Sequence, residues 1–231
     1  MDIAFHTPNL TSHQGEHFEW FSEGAKRHGL TIRHCHQPYS DADIHIISGP
    51  WYAYRQCIGK PRVIMIDRAY YHPGYSKWKG MDWISIGWLK PDGSRFIRIG
   101  EGRQKPEINE RPEKGGTIFL ADYDGPIEEA DTIRLHPEHN RKSGPPPSET
   151  LHEALRRHRT AIGYRTSSLV TAALEGLEVI CKDSRNIMSN PRWHDILPYA
   201  DWKYSEIQSG ELWEHLKHDL HTGYSAEISG G

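Results

Sequence analysis

The sequence predicts an α/β fold in which two successive halves each build a mostly parallel sheet. Short β-branched runs alternate with amphipathic segments from the start of the chain to Asp67, which is typical of strands joined by crossover helices. The alternation begins again at Thr117, after a charged segment rich in proline and glycine, 100–116, that is typical of a linker. We therefore expect a compact protein of two facing, Rossmann-like domains. Ligands of such sheets bind at the carboxyl ends of the strands, which here means the cleft between the domains.

Composition limits the classes of function. The 231 residues suffice for two small domains with cores, and a net charge of −3 gives no global field that attracts nucleic acid or anionic lipid. The first residues lack the basic and apolar regions of a signal peptide, and no apolar run is long enough to span a bilayer. Cys35, Cys57 and Cys181 form no CxxC motif and are typical of free thiols in a reducing compartment. We expect a soluble, cytoplasmic protein without a membrane partner.

In the first half, the predicted elements are strands and two helices. One helix is expected at Glu16–His28, with Phe18, Phe21 and Ala25 on one face, and a short one within Trp51–Ile58. The strands are expected at Asp2–Phe5, Leu30–His34, Asp43–Ile47, Arg62–Asp67, Trp83–Gly87 and Arg95–Ile99.

In the second half, strands are expected at Thr117–Ala121, at Thr132–Leu135, at a run that ends with Ile162, and at Glu178–Cys181. A helix capped by Ser148 precedes the third of these strands, and an amphipathic helix begins at Ser205. The predicted domains are therefore a first domain 1–99, the linker 100–116, a second domain 117–204, and a closing helix and tail 205–231.

The stretch from Thr160 to Asp183 organises the second half. It is predicted to form a strand, a tight polar turn, a helix that ends at Gly176, and a second strand. The hydroxyl groups of Thr166, Ser167 and Ser168 stand where the helix begins, and a helix start with hydroxyl and free N–H groups is a ready anion site. The alternative is that these residues only cap the helix.

Three motifs follow one another in this half. They are Arg134-Leu-His-Pro137 after a strand, Thr166-Ser-Ser-Leu169, and Gly176-Leu-Glu-Val-Ile180. In this order they resemble the His-Pro motif, the Ser-Ser motif and the following strand of GT-B fold glycosyltransferases, especially the capsule-polysaccharide and bacterial sialyltransferase-like groups. The resemblance covers residues 117–183. It implies that His136 and Pro137, with Thr166, Ser167 and Ser168, bind the phosphate and sugar of a nucleotide-sugar donor.

The sequence departs from that family in three respects. A Glu-Ala pair that binds the ribose is replaced here by Thr171-Ala172, so that Glu175 is the nearest substitute. The family has an acidic motif in its first domain. The only similar sequence here, Asp122-Tyr-Asp-Gly125, lies at the start of the second half. The chain is also short for a two-domain transferase, and a trimmed acceptor domain or lost activity is an alternative.

The resemblance also extends to the end of the chain and to the partners. The segment from Trp193 to Leu216 looks like the carboxyl tails of small phage proteins of this kind, which would place the protein in the host cytoplasm. The partners would then be a nucleotide sugar and an acceptor, either a glycan or a modified base in DNA. No cofactor is implied besides this donor substrate.

Glycosyl transfer also needs a base for the acceptor hydroxyl, which we expect from the first half. Asp67 ends a strand at the appropriate edge, His6 ends the first strand, and His13 lies in the loop that follows it. The alternative is that Asp67 caps a turn and that both histidines are solvated. Aromatic residues, including Tyr70 and Tyr71, crowd the loop after Asp67 and could stack on sugars or cover a small core.

Two other functions are compatible with the sequence. Asp122-x-Asp124 after an apolar strand could hold Mg²⁺ or Mn²⁺ against a donor diphosphate, as in metal-dependent transferases, although such a pair also marks the exit from a strand into a turn. A non-catalytic module that binds a nucleotide or a sugar is favoured by the missing ribose-binding Glu. The sequence therefore predicts a glycosyltransferase and leaves these two alternatives open.

Overall fold

A computed structural model of the chain describes residues 1–7, 10, 13–37, 40–48, 54–57, 62–72, 82–113, 115–122, 125–136 and 149–222. The fold is mixed α/β, as the sequence predicts, and it divides into two compact units. The first unit contains residues Met1–Arg103 and Tyr199–Gly231, and the second contains Gln104–Pro198. Among the described helices, none has the length and apolar character needed to cross a membrane.

The strands are numbered in chain order. They are β1 (Ile3–His6), β2 (Ile32–Cys35), β3 (Ile44–Ser48), β4 (Val63–Arg68), β5 (Trp83–Leu89), β6 (Arg95–Phe96), β7 (Gly116–Leu120), β8 (Thr132–Arg134), β9 (His158–Gly163), β10 (Glu178–Cys181) and β11 (Asp201–Lys203). The described helices are α1 (His13–Lys26), α2 (Tyr54–Cys57), α3 (Leu151–Leu155), α4 (Ser168–Leu174), α5 (Trp193–Ala200), α6 (Tyr204–Ser209) and α7 (Glu211–Thr222), with a 3₁₀ turn at Ile187–Ser189.

The first unit is built on a sheet of seven strands in the order β2-β1-β3-β4-β5-β11, with β6 paired to β5. β1 to β4 are parallel, as predicted for the chain up to Asp67. β5 turns antiparallel to β4, and β6 and β11 are antiparallel to β5. Because β2 and β3 lie on opposite sides of β1, the strand order reverses between β1 and β3, which is where open α/β sheets bind ligands.

Both faces of this sheet are covered. One face packs against α1, α6 and α7, with Phe5 in edge contact with Phe21 and Phe21 in edge contact with Trp213. On the other face, Ile47, Val63, Met65 and Leu89 pack around Cys57 of α2. Strands buried on both sides need continuous apolar runs, which explains why the sequence predicted β1, β3 and β4 so closely.

The end of the chain belongs to the first unit, although the sequence predicted a single helix after Ser205. Gly210 adopts φ +92°, a conformation that favours glycine, and it separates α6 from α7. The indole N–H of Trp213 on α7 donates to the carbonyl of Phe21 on α1 at 3.1 Å, which fixes α7 to this core. α5 and β11, which the sequence did not predict, precede these helices, and the division between the units falls within α5.

The second unit contains a smaller sheet of four parallel strands in the order β10-β9-β7-β8. α3 and α4 cover one of its faces, where Leu155, Leu169 and Ala172 pack against Ile118 and Ala161. α4 ends before Gly176, whose φ of +82° confirms the predicted helix stop. The strand order of this sheet reverses between β7 and β9.

A buried ion pair stabilises the core of the first unit. The Asp219 carboxylate on α7 is fully buried, accepts the Trp88 indole N–H at 3.1 Å, and forms a short ion pair with the Arg98 guanidinium. A buried charge that loses its partner is costly, because the remaining ion is neither hydrated nor paired.

We expect Asp219→Asn to lower the free energy of unfolding by about 3 kcal/mol, because it leaves the Arg98 cation without its counter-ion in a largely buried place. Chemical denaturation followed by tryptophan fluorescence measures this loss. The control is Glu214→Gln on the same helix, where an exposed carboxylate pairs with Lys217, and which should leave the midpoint unchanged. Equal midpoints for the two variants would contradict a stabilising role for the buried pair.

Candidate functional site

Several candidate residues that the sequence predicts lie where the strands of the second sheet end, at the edge formed by their carboxyl ends. His136 follows β8, Asp122 follows β7, and the turn 164–167 joins β9 to α4. All four strands are parallel, so these segments lie along one edge, at the position where the strand order reverses. We refer to this edge as the β7–β9 edge.

Thr166 and the two serines have different roles at the start of α4. The Thr166 hydroxyl accepts the Ser168 amide at 3.2 Å, so Thr166 closes the first turn. Ser167 is exposed and its side chain makes no capping hydrogen bond. Its hydroxyl group therefore remains outside the capping interactions of the helix.

The helix start offers fewer amide donors than the sequence suggested. The amide of Ser168 is bonded to Thr166, that of Leu169 to the Thr166 carbonyl at 3.3 Å, and that of Val170 to the Ser167 carbonyl at 2.9 Å. This corrects the expectation of several free N–H groups, because the tight first turn uses them internally. The exposed Ser167 hydroxyl is therefore a more accessible hydrogen-bonding group than the amides of these three residues.

His136 reaches the same edge from β8, with β7 between it and the turn that carries Ser167. The Ala121 amide donates to the Arg134 carbonyl at 3.0 Å and ties the exits of β7 and β8 together. Neighbouring strands are about 4.8 Å apart, so the ends of β8 and β9 are separated by about 10 Å. The half-buried imidazole of His136 and the hydroxyl of Ser167 therefore belong to one edge, and Pro137 lies outside the described residues.

Glu175 lies away from this edge. It follows the last residue of α4, so a helix of seven residues, about 10 Å long, separates it from Ser167. Its carboxylate accepts His152 Nδ1 at 2.6 Å and Asn109 Nδ2 at 3.3 Å. Burial raises the pKa of Glu175, but the bonds from His152 and Asn109 outweigh it and leave the pKa below its ordinary value. Glu175 thus supports the opposite, amino edge of the sheet, which corrects its expected role in ribose binding.

Asp122 binds the backbone of the turn that follows β9. Its Oδ2 accepts the Arg165 amide at 2.9 Å, and the Arg165 guanidinium Nε lies 3.8 Å from that oxygen and 4.0 Å from Asp183 Oδ2. Asp124, the second acid of the Asp-x-Asp pair, lies outside the described residues. Within the part of the chain that the structure describes, no three His, Cys, Asp or Glu side chains are grouped so that they could hold a metal ion.

The expected bases of the first unit have separate environments. Asp67 lies within β4, its Oδ1 accepts the Arg68 amide at 2.8 Å, and its Oδ2 accepts Arg95 Nη2 at 2.7 Å. The Asp67 side chain is 37% exposed, so the carboxylate is paired but remains accessible. Helix α1 begins at His13, so this residue lies in a helix and not in a loop, and its side chain lies outside the described part.

His6 is buried, which contradicts the alternative that this histidine is solvated. Its Nδ1 lies 2.7 Å from the Gln37 carbonyl and its Nε2 lies 3.0 Å from His45 Nδ1. Because a carbonyl only accepts, His6 Nδ1 carries the proton, and the neutral ring accepts from His45. Burial lowers the pKa of His6, so this ring stays neutral and is shielded from substrate.

The aromatic loop after β4 is tied to a carboxylate that the sequence did not single out. Asp201 on β11 is fully buried and accepts the amides of Tyr70, Tyr71 and His72 at 2.8 to 3.2 Å. His72 stacks on Trp83 with ring centres 3.6 Å apart. These contacts favour the structural alternative for the described part of the loop, while Tyr75 and Trp78 lie outside the described residues.

The sequence did not predict the roles of three residues. They are Asp201, which holds the loop after β4, Arg95, which pairs with Asp67, and Asn186, which contacts the turn after β9. Each acts through a contact distant in sequence, and none belongs to a motif. For Asn186 the only local signal is the polar run Asp183-Ser-Arg-Asn186 directly after a strand.

No family model matches the chain, and no curated protein matches it significantly. Among solved structures, the chain is similar to KpsC of Thermosulfurimonas dismutans, a beta Kdo 2,7 transferase, at 8% sequence identity and a TM-score of 0.49. The similarity covers 93% of this chain and 99% of that chain. The similarity is one of fold alone, and it carries nothing about a donor, an acceptor or site residues.

Stability of the first unit should depend on pH through Asp201. Burial raises the pKa of Asp201 from 3.8 to about 6, above the value in the unfolded chain. The protonated carboxyl therefore favours the folded state, and this contribution is fully present below pH 3.8 and lost as the pH rises through about 6. The shift corresponds to about 3 kcal/mol.

We expect Asp201→Asn to remove this dependence, because the amide does not ionise. Chemical denaturation of both proteins at intervals from pH 4 to 7 measures it. The difference in unfolding free energy between variant and wild type should move in favour of the variant as the pH rises. A constant difference over that range would contradict the shifted ionisation of Asp201.

Proposed function

We propose that the protein is a glycosyltransferase that moves a sugar from a nucleotide-sugar donor to an acceptor. The observation that carries the proposal is that His136 and the turn Thr166-Ser-Ser168 follow strands that flank β7 and belong to one carboxyl edge of a parallel sheet. These motifs lie 30 residues apart in the chain. Ligands of open α/β sheets bind at such an edge, where the strand order reverses.

Departure of a nucleotide leaves negative charge on phosphate oxygens, and the β7–β9 edge offers groups that would stabilise this charge. We assign the Ser167 hydroxyl and the His136 imidazole as donors to the phosphate, with Thr166 and Ser168 forming the turn beside it. Hydrogen bonds to a charged phosphate are stronger than those between neutral groups. Donors fixed before the reaction stabilise developing charge without reorganisation.

Two arginine side chains lie at this edge, each beside a carboxylate. Arg165 has a side chain that is 48% exposed, and its Nε lies 3.8 Å from Asp122 Oδ2 and 4.0 Å from Asp183 Oδ2. Arg185 binds Asp183 through Nη2 at 2.6 Å and holds the pKa of that carboxyl below its ordinary value. We propose that these guanidinium groups offset the charge of the donor phosphate without a metal ion.

For the acceptor, we propose Asp67 as the base, because it is the one of the three expected bases whose described side chain is accessible. Its pairing with Arg95 means that a substrate would have to share or displace that contact. The acceptor is a hydroxyl compound of the classes that the resemblance implies, a glycan or a modified base in DNA.

A second candidate function is a nucleotide- or sugar-binding module without catalysis. It is favoured by the burial of His6 and by the ion pair of Asp67, because both reduce the supply of a ready base in the first unit. This module would use the same β7–β9 edge, so nucleotide binding alone does not distinguish the two candidates, whereas turnover does.

We expect Ser167→Ala and His136→Ala each to weaken binding of the preferred nucleotide about 10- to 100-fold, because each removes a hydrogen bond to a charged phosphate. Isothermal titration with nucleoside 5′-mono- and diphosphates, with and without Mn²⁺, measures the affinity. Thermal unfolding of each variant checks that the fold is intact.

The controls for this experiment use the opposite end of the same unit. Thr160→Val removes a hydroxyl from the beginning half of β9, and His152→Ala removes an exposed imidazole that contacts Glu175. Both should bind the nucleotide as the wild type does. Unchanged affinity in Ser167→Ala and His136→Ala would refute the donor site, and binding that requires Mn²⁺ would favour the metal-dependent alternative.

Turnover should separate the transferase from the module. If Asp67 is the base, Asp67→Asn should lower the rate of slow nucleotide-sugar hydrolysis about 100-fold or more with unchanged donor affinity, since water then replaces the acceptor. Product release from nucleotide sugars measures this rate, and Asp43→Asn, at an exposed carboxylate of the same unit, is the control. Tight binding by the wild type without any hydrolysis would favour the module.

A further inference from the structure

We infer that Asn186 is a positioning residue of the donor site, which fixes the turn between β9 and α4 so that the Ser167 hydroxyl is presented to the ligand. The inference rests on the proposed function, because it assigns the support for that site. Asn186 lies after β10, some twenty residues beyond the turn in the chain, and belongs to none of the three motifs.

The Asn186 side chain binds the turn on both sides of Arg165. Its Nδ2 donates to the Tyr164 carbonyl at 3.0 Å and to the Thr166 carbonyl at 3.3 Å. Its Oδ1 accepts the Met188 amide at 2.9 Å, and the residue is 9% exposed. Two carbonyls face one end of the amide and an N–H faces the other, so only one orientation of this amide satisfies all three groups.

A second side chain, that of Asp122, binds the Arg165 amide, which lies between these two carbonyls along the chain. Asp122 Oδ2 accepts the Arg165 amide at 2.9 Å, and this carboxylate comes from β7 on the other side of β9. Backbone groups of three successive residues, 164 to 166, are therefore bound by side chains from both neighbouring strand ends. On the helix side, the Val170 amide binds the Ser167 carbonyl.

The result is a rigid frame around an exposed hydroxyl. Ser167 is flanked by residues whose backbone is fixed, while its own side chain makes no capping hydrogen bond. A ligand that binds an ordered turn does not have to supply the free energy of ordering it, and this gain appears as affinity. Asn186 therefore influences ligand binding without touching the ligand.

Asn186 also has an ordinary structural role, and one substitution separates the two. Its Oδ1 caps the 3₁₀ turn at Ile187–Ser189, and Asp at this position would keep that acceptor. The same change replaces the Nδ2 donor by an oxygen that faces two carbonyl oxygens. Asn186→Asp therefore retains the cap and releases the turn 164–167.

The test measures nucleotide affinity and thermal unfolding for Asn186→Asp, Asn186→Ala and Asn190→Asp. Asn190 is the matched control, because it is exposed and its Oδ1 accepts the Arg192 amide at 2.8 Å, so the same substitution there keeps a local cap and releases no turn. The probe is the nucleoside 5′-mono- or diphosphate that binds the wild type most tightly. Hydrogen exchange of the 164–168 segment is followed without any ligand.

We expect both Asn186 variants to bind the nucleotide about tenfold more weakly than the wild type, with the loss in the entropy of binding, at a temperature where they remain folded. Exchange of the 164–168 segment should be faster, and Asn190→Asp should resemble the wild type. A residue that only stabilises the fold would lower the unfolding temperature and leave the affinity and its entropy unchanged.

The possible outcomes are distinguishable. If Ser167→Ala weakens binding but both Asn186 variants bind like the wild type, the positioning role is overturned and the donor site stands. If Ser167→Ala and His136→Ala bind normally, the donor site itself is refuted, and the positioning role is overturned with it. Slower or unchanged exchange of the segment in Asn186→Asp also overturns the inference.

Discussion

The parallel pairing of β7 with β9 is the constraint on which the rest of the candidate site depends. These strands are distant in the chain, and their register aligns Leu120 with Gly163, so that both end at the same height. This alignment brings the candidate-site residues of the second unit to the same edge. Asp122 comes two residues after the end of β7, and the turn with Ser167 follows β9, so the carboxylate of Asp122 reaches the amide of Arg165. β8 joins the same edge and brings His136 to it.

Burial separates the polar residues that support the fold from those available for chemistry. Asp201, Asp219 and the pair His6–His45 are buried and bound to partners fixed by the first sheet and its helices. Water cannot hydrate such groups, so each needs a protein partner, and each becomes part of the framework. Ser167 is exposed, and its hydroxyl makes no capping hydrogen bond. Burial removes His6 from the candidate site, and exposure retains Ser167, whereas Glu175 is excluded by its position at the other end of α4.

Much of the fold could be predicted because its signals are local. The runs of β1, β3, β4 and β7 are mostly apolar, since much of each strand is buried, and Gly176 stops α4 with a positive φ. The three cysteines carry free thiols, as expected, with Cys181 only half-buried. Other elements have weak local signals. β11 contains only three residues and pairs with β5, and α5 contains Pro198, a residue that disfavours a helix interior.

The sequence by itself determined the class of fold, the alternation of its elements and the hydroxyl-bearing turn before α4, because propensity, periodicity and caps act over a few residues. Only the tertiary structure decided which of those residues share an edge and which are absorbed into the framework. Glu175 stands eight residues from Ser167 in the chain and at the other end of a helix in space, whereas Asn186 is nineteen residues away and binds the neighbouring carbonyls. Such contacts depend on strand order and register, which arise from the packing of the whole unit and leave no trace in a short stretch of sequence.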